Sequence, residues 1–321
     1  MVDTTILLQR TGDKIPVVGL GTYKITNDQG EEAIYNAIKA GYRHIDTASV
    51  YANEQGVGRG IKKAIDEGIV TRKDLFVVTK LWNAFHRKEH VRPAFDRQLK
   101  DLGLDYIDLY YMHWPFAQKY VDPAIQYPTA WNHPETKKFE WEQVPVQETW
   151  HEMEKLVDQG LVRNLGIANF NVQMTLDLLT YCKIKPDVIQ VEIHPYLQRN
   201  KFIDWMKRQG IQVTAYSSFG SAAFDVFTQE NKHLAPLLEH ETIKAIADKH
   251  GKTTSQVLLR WAIERGLVVI PKSGNVDRMK TNLDVFSFSL DDNDRNAIAV
   301  MNANIRFNDL EIYGIDIPLY E

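Results

Sequence analysis

The stretch Arg43-His44-Ile45-Asp46-Thr47-Ala48-Ser49-Val50-Tyr51-Ala52-Asn53-Glu54 carries the signals that decide the fold. Residues 43–47 form a short apolar run that delivers a carboxylate at Asp46, and Tyr51 stands in the loop that follows. Residues 56–66 then take on helical spacing. A strand ending in an acid, a loop with a phenol and then a helix make one β–loop–α unit. Such units suit a barrel whose chemistry gathers at the C-terminal ends of its strands. The question is how often the unit recurs.

Upstream, residues 6–9 and 15–18 are apolar and flank Arg10-Thr11-Gly12-Asp13-Lys14, whose Gly-Asp pair predicts a β-hairpin. Residues 17–21 then read as the first strand and 30–40 as its helix. Downstream of the opening unit, strands at 75–80, 106–112, 162–167, 188–191, 212–216 and 267–270 alternate with helices at 91–102, 146–159, 172–181, 201–209, 242–250 and 276–283. An extra helical pattern lies at 255–263. This alternation argues for a parallel sheet, and about eight units argue for a closed (β/α)8 TIM barrel with an N-terminal hairpin. No Gly/Ser/Pro-rich linker divides the chain, so residues 1–321 read as one domain. Two half-size α/β domains and an open doubly wound sheet are the readings set aside.

Two gaps, 115–145 and 217–236, exceed the ~12–15 residues beyond which a loop in a compact domain is usually functional or disordered. Both follow strands, so both belong on the C-terminal rim. The tail after Asn302 lacks periodicity yet keeps Phe307, Tyr313, Ile317, Leu319 and Tyr320. It is expected to pack across that rim.

Composition narrows the function. Apolar residues make up 44% and charged residues 25% of the 321, with a formal charge of −4. That is ordinary for a globular protein, and the missing basic excess argues against a nucleic-acid partner. A lone cysteine, Cys182, cannot form an internal disulfide and suits a reducing compartment. The N-terminus lacks a signal-peptide pattern, and no apolar run is long enough to span a bilayer. The reading is a cytoplasmic protein without a membrane partner.

Three polar residues end successive apolar strands: Asp46, Lys80 and His113. Each alone has an ordinary explanation, respectively a helix cap, a solvated strand end and a satisfied core histidine. Their joint occurrence beside Tyr51 is what points to chemistry. A tyrosine titrates near ~10, and an adjacent ammonium is expected to lower that value. A buried lysine needs a carboxylate, which Asp46 supplies. A neutral His113 imidazole would orient a polarised oxygen. The set makes a general acid for a carbonyl oxygen, and it still needs a hydride donor. No Gly-x-Gly-x-x-Gly opens a unit, and Gly56-x-Gly58-x-Gly60 falls inside a predicted helix. Instead strand eight ends in Val269-Ile270-Pro271-Lys272-Ser273-Gly274, with Arg278 near the start of a helix. In (β/α)8 enzymes that place often binds phosphate. No metal is assigned.

Together these segments resemble the aldo-keto reductase family over essentially the whole chain. The resemblance rests on Ile45-Asp46-Thr47-Ala48-x-x-Tyr51-x-Asn53-Glu54, Lys80-Leu81-Trp82, His113-Trp114-Pro115 and Gly166-Ile167-Ala168-Asn169-Phe170. It extends to Gln190-Val191-Glu192-x-His194-Pro195-Tyr196, Ala215-Tyr216-Ser217-Ser218-Phe219-Gly220 and Ile270-Pro271-Lys272-Ser273. It implies NADPH-dependent carbonyl reduction, with NADH the weaker cofactor, and a catalytic tetrad of Asp46, Tyr51, Lys80 and His113 in which Tyr51 is the acid. It further implies that Tyr216 stacks on the nicotinamide while Asn169 and Gln190 hold its carboxamide. Ser217, Phe219 and Ser221 would follow the pyrophosphate. Lys272, Ser273 and Arg278 would take the 2′-phosphate in a loop that includes Gly274 and Asn275, with Asn282 near the adenine. The family commonly has serine at the position of Ala168, so one hydrogen bond to the carboxamide, worth ~0.5–1.5 kcal/mol, is expected to be missing.

Within the family the likeness is to fungal xylose-reductase-type enzymes, in residues 37–43, the 115–145 loop and Arg306-Phe307-Asn308-Asp309. Residues 90–100 resemble the dihydromethyltrisporate dehydrogenase branch of mucoralean fungi. The expected substrate wall is Tyr23, Val50, Trp82, His113, Trp114 and Asn308. Xylose reductases usually carry tryptophan at the position of Tyr23 and an acid at that of Val50. A valine cannot accept from a sugar hydroxyl, so polyols are expected to be poorly discriminated. Apolar or aromatic aldehydes fit the wall better, with Asn308 left as a polar group for hydroxylated ones. Two other functions stay open: oxidation of a larger apolar alcohol, and a nucleotide-sensing regulatory subunit. The chain is read as a monomer or a homodimer.

Overall fold

The computed structural model describes residues 3–220 and 234–320. The chain opens with an antiparallel hairpin of β1 (Thr5–Leu7) and β2 (Lys14–Pro16). It continues as β3 (Leu20–Gly21), α1 (Asn27–Ala40), β4 (His44–Asp46), α2 (Glu54–Asp66), β5 (Phe76–Leu81), α3 (Lys88–Leu102) and β6 (Ile107–Met112). A small hairpin of β7 (Ala117–Gln118) and β8 (Trp141–Glu142) interrupts the alternation. Then come α4 (Val146–Asp158), β9 (Val162–Ala168), α5 (Val172–Tyr181), β10 (Val188–Glu192), α6 (Asn200–Arg208) and β11 (Gln212–Tyr216). After the undescribed stretch follow α7 (Glu241–His250), α8 (Thr254–Glu264), β12 (Val268–Val269), α9 (Val276–Leu283) and α10 (Asp292–Ala299).

The sheet runs β12-β11-β10-β9-β6-β5-β4-β3, and the pairings within it are parallel. Its two edges meet: Val18 and Gly21 bridge Val269 and Lys272 in parallel, and the Gly19 amide donates to the Val269 carbonyl at 2.8 Å. Closure of the edges makes the expected (β/α)8 barrel. Leu8 and Ile15 of the first hairpin pack with Phe76, Val78, Leu109, Tyr111, Ala168, Val188 and Val268, so the hairpin plugs the barrel floor. Arg10 fastens it by an ion pair to Asp187 at 2.9 Å. A larger apolar cluster, including Ile34, Ile61, Phe95, Trp150, Ile203 and Leu258, fills the space between strands and helices.

Local chemistry fixes the helix starts. Thr26 and Gln29 form a reciprocal capping box on α1, as do Thr253 and Gln256 on α8, which satisfies amides that have no intrahelical partner. The Gly56-x-Gly58-x-Gly60 series lies in α2, where it serves packing. A Cβ on Gly56 would stand 2.2 Å from the Asn27 carbonyl oxygen of α1, and one on Gly58 2.3 Å from the Leu102 oxygen of α3. In the barrel wall, a Cβ on Gly166 would lie 2.4 Å from the Tyr111 ring.

The sequence reading placed α5, β11 and α9 with these ends and most other elements within a few residues. A hairpin and a helix lay outside it. The 115–145 loop contains the β7–β8 hairpin, and α10 forms where only a polar run is evident. The tail packs as expected across the rim, its Phe307, Leu310, Ile315 and Leu319 buried.

Candidate active site

β4 ends at Asp46 and β5 carries Lys80, both buried at the C-terminal end of the barrel. Lys80 Nζ donates to Asp46 Oδ1 at 2.5 Å and to the Thr47 carbonyl at 2.9 Å. Two of the three ammonium donors are thus committed. The other Asp46 oxygen, Oδ2, accepts from Gln190 Nε2 at 2.7 Å. Tyr51 closes a short 3₁₀ turn over Ser49–Tyr51, and its ring centroid is 5.1 Å from Lys80 Nζ. Buried Asn53 holds that turn in place. Its amide nitrogen donates to the carbonyls of Thr22 and Ile25, both at 2.9 Å, and its oxygen accepts from Thr47 Oγ at 2.9 Å. The His113 ring lies 6.0 Å from Tyr51, edge to face. Asp46, Tyr51, Lys80 and His113 therefore meet at one point of the barrel mouth.

Burial governs the protonation of this group. It pushes the Tyr51 phenol well above its ordinary value, and the Asp46, Tyr23 and Tyr313 charges act in the same sense. The expectation of a lowered phenol is corrected here: taking the ring out of water, with Asp46 beside it, sets the direction upward. Burial also lowers Lys80, opposed by Asp46. His113 is held well below the usual histidine range by burial first, then by Lys80 and His86. At neutral pH the site presents a neutral phenol and a neutral imidazole.

A second network adjoins the first. Tyr216, at the end of β11, donates its hydroxyl to Asn169 Oδ1 at 2.7 Å, and Asn169 Nδ2 donates to the His113 carbonyl at 2.9 Å. Asn169 holds a left-handed φ of 64° and Ser217 one of 54°, the sharp turns by which the chain leaves β9 and β11. Asn308 Nδ2 donates to the Tyr216 hydroxyl at 2.9 Å, while its Oδ1 accepts from Tyr313 at 2.9 Å. The Ala168 side chain faces the barrel core with Tyr111 and Val188.

At the far side of the mouth, Lys272 lies in register with Gly21, which is itself in register with Asp46. Asn275 caps α9 by accepting from the Arg278 amide at 3.0 Å, and Ser273 Oγ accepts from the Asn275 amide at 3.1 Å. Lys272, Gly274, Asn275 and Arg278 are exposed and Asn282 is buried. Neither Lys272 nor Arg278 makes an ion pair among the described residues. Phe219 is half-buried against the core, and Ser221 lies outside the described residues. Ser218, which the sequence reading passed over, has a buried hydroxyl with no hydrogen-bond partner among the described residues. Two amide side chains, a phenol ring, an orphaned serine hydroxyl and two unpaired cations suit a carboxamide, a pyrophosphate and a further phosphate in turn.

The side of the mouth where the substrate wall is expected is aromatic. Tyr23 is 5.3 Å from Tyr51, and Trp82 is 5.3 Å from His113. Trp131 of the 115–145 loop contacts Trp82 at 4.6 Å, Trp114 at 5.5 Å and Tyr313 of the tail at 5.2 Å. Val50 is half-buried against the core. Trp131 and Tyr313 reach this wall from two rim segments without periodicity. Their only sequence signal was aromatic residues in long, otherwise polar loops.

With this geometry in hand, comparisons with known proteins are specific. The aldo/keto reductase family profile matches residues 17–303. The chain is 53% identical over 316 residues to a 4-dihydromethyl-trisporate dehydrogenase of Mucor mucedo, covering 98% of each. It is 49% identical over 311 residues to a probable NAD(P)H-dependent D-xylose reductase of Emericella nidulans, covering 97% of each. With an NAD(P)H-dependent D-xylose reductase of Aspergillus niger it shares 46% over 321 residues, the full length of both.

Proposed function

Because the chain belongs to the aldo/keto reductase family, and so is an oxidoreductase of carbonyl and alcohol groups, we propose that it reduces aldehydes with NADPH and that Tyr51 is the proton donor. The observation that carries this reading is the buried Lys80–Asp46 pair at 2.5 Å beneath the Tyr51 ring. An ion pair is costly to bury, and here it sits where a phenol has to give up a proton. NADPH, when bound, supplies the hydride. Asn169, Gln190 and Tyr216 would hold its nicotinamide end, Ser217, Ser218, Phe219 and Ser221 its pyrophosphate, and Lys272, Ser273, Gly274, Asn275, Arg278 and Asn282 its adenosine phosphate end.

The protein's part is positional and electrostatic. Tyr51 keeps its proton until negative charge develops on the carbonyl oxygen, then donates it. The phenolate left behind faces Lys80, whose charged form Asp46 favours against burial. Neutral His113 orients the carbonyl oxygen. Tyr23, Val50, Trp82 and Trp114 form a wall that favours apolar and aromatic aldehydes. Reduction of xylose, as named for the xylose reductase relatives, and oxidation of a larger apolar alcohol use the same machinery; the Mucor relative is named a 4-dihydromethyl-trisporate dehydrogenase. We further propose that residues 1–321 act as one domain in the cytoplasm; no helix among the described residues is long and apolar enough to cross a membrane.

The test is NADPH oxidation with a panel of xylose, glyceraldehyde and an aromatic aldehyde, run for wild type and Tyr51→Phe. General acid catalysis contributes about 10²–10⁴-fold, so the variant is expected to lose at least ~100-fold in turnover while still quenching its tryptophan fluorescence on NADPH binding. Retention of most turnover by Tyr51→Phe would refute the acid assignment. Equal affinities for NADPH and NADH, unchanged in Arg278→Ala, would refute the phosphate assignment.

A further inference from the structure

Glu54 is a buried acid that the proposed proton transfer does not use. It opens α2 three residues after Tyr51, and it is 4% exposed. Its Oε1 accepts from Thr79 Oγ at 2.6 Å and from Gln98 Nε2 at 3.0 Å. Gln98 Nε2 also donates to the Lys80 carbonyl at 3.1 Å, and Gln98 Oε1 accepts from the Tyr110 hydroxyl at 2.6 Å. The carboxyl group therefore grips β5 at the residue before Lys80 and, through Gln98, at Lys80 itself. On its other side, Asn53 ties the same turn to the carbonyls of Thr22 and Ile25. The segment that carries the phenol is thus fastened to the strand that carries the ammonium.

Hydrogen bonding alone does not explain why this residue is an acid. A glutamine oxygen would accept both bonds without placing a charge in the interior. What a carboxylate adds is its field. The titratable groups that face it are Lys80 of β5, Asp101 of α3, Tyr110 of β6 and Tyr127 of the 115–145 loop. Burial raises both phenols above their ordinary value, so they stay neutral, and Asp101 opposes the Glu54 charge. Glu31 of α1 stands in an exposed pair with Arg59. Among the described residues the cation in the field of Glu54 is Lys80, and each favours the charged form of the other. Lys80 thus has Asp46 in direct contact and Glu54 behind its own strand.

We propose that Glu54 is a positioning residue acting through Lys80: it locks the Tyr51 turn to the lysine strand and supports the ammonium as pH rises above neutrality. The inference rests on the functional reading above. Burial raises Glu54 to about 7, against the bonds from Thr79 and Gln98. Below that pH the carboxyl is protonated, and Asp46 alone supports Lys80. Above it a second negative charge joins Asp46, and the range over which the buried ammonium survives extends upward. The hydrogen bonds persist in both states, since a neutral carboxyl oxygen still accepts. The lock is permanent and the charge is conditional.

The test is kcat from pH 6 to pH 9 for wild type and Glu54→Gln, with NADPH and an aromatic aldehyde. Glutamine keeps the two bonds and removes the charge. The ratio of variant to wild-type kcat is expected to fall by about threefold or more between pH 6 and pH 9. An alkaline limb moved down by about half a pH unit gives a loss of that size. KM for the aldehyde and Kd for NADPH should stay as in wild type, because the lost support acts on the proton-transfer step. A folding defect cannot imitate this pattern, since removing a buried charge stabilises the variant at the pH where it is slow. A ratio that stays flat across the range, or a rise in KM or Kd in place of a fall in kcat, would overturn the proposal. Should Glu54→Gln not fold, Thr79→Val removes the 2.6 Å bond that favours the carboxylate. Its alkaline limb should move down as well, and an unmoved limb is then the overturning result. If wild type itself fails to oxidise NADPH with any aldehyde, the functional reading falls, and that result is distinct from a pH profile that Glu54 does not move.

Discussion

At the residue scale, the side chains that meet at the barrel mouth were legible because strand ends in a barrel concentrate chemistry, and Asp46, Lys80 and His113 each end an apolar run in the sequence. Their electrostatics were not legible. The sign of the Tyr51 shift depends on how much water the fold removes, and burial is its largest cause. Asp46→Asn isolates the lysine charge. It removes the carboxylate bonded to a fully buried ammonium, so Lys80 falls further below its ordinary value and loses its proton nearer neutrality. Turnover at neutral pH is expected to drop about 10²–10³-fold. Relative to wild type it should recover as pH is lowered, since acid restores the ammonium; a flat ratio in the pH–rate profile would dissociate Lys80 charge from catalysis. Glu54 offers a stability test. Burial raises it to about 7, against hydrogen bonds from Thr79 at 2.6 Å and Gln98 at 3.0 Å that favour the carboxylate. Because the folded value exceeds the unfolded one, the proton is bound more tightly in the fold. Its stabilisation is complete below the unfolded value and is lost as pH rises through about 7. Glu54→Gln should therefore gain on wild type in unfolding free energy at pH 8 and not at pH 5, by an amount on the order of 1–3 kcal/mol, read from melting curves at the two pH values.

At the element scale, the βα alternation could be read because strand runs and helical periods differ in length and repeat. What escaped has physical reasons. α10 buries little more than Asp294 and Ile298, so it lacks an apolar stripe. Its start is fixed by an Asp291–Asp294 capping box and by Lys249 and His250, which bond Asp294 at 2.8 and 2.7 Å. Those partners are distant in sequence. The β7–β8 pair has two residues per strand, too few to show alternation. The glycines of α2 were visible, but their purpose needed the neighbouring helices. Gly56→Ala gains about 1 kcal/mol of helix propensity, yet its methyl would sit 2.2 Å from a backbone oxygen of α1. A helix carbonyl cannot swing aside as a flexible side chain can, so overpacking of about 1–3 kcal/mol or more wins. Urea unfolding is expected to show a lower midpoint with an unchanged m-value, and a stabilised variant would mean that α1 and α2 part easily.

At the scale of the whole molecule, the barrel was legible but the coupling of its last residues to its centre was not, since the tail has no period to read. One buried carboxylate carries the backbone part of that coupling. Burial alone would raise Glu192. Hydrogen bonds and charge from His194, with Arg306 and the Phe307 amide, more than offset it, and the net shift is downward from 4.5. A depressed folded value means that the stabilisation is present above the unfolded value and is lost as pH falls through the folded one. Protonating Glu192 removes charge assistance from the bonds to the Phe307 and Asn308 amides. The tail should then open locally before the barrel unfolds, because these two amides tie its backbone to β10. Hydrogen exchange at pH 7 and near pH 4 tests this directly. Amides of residues 307–319 are expected to lose protection at the lower pH while those of β9 and β10 keep theirs. Glu192→Gln should bring the loss to pH 7, with tail opening easier by about 1–3 kcal/mol. If β10 and the tail exchange together in both proteins, the tail is part of the barrel's cooperative unit, and Glu192 supports the fold as a whole.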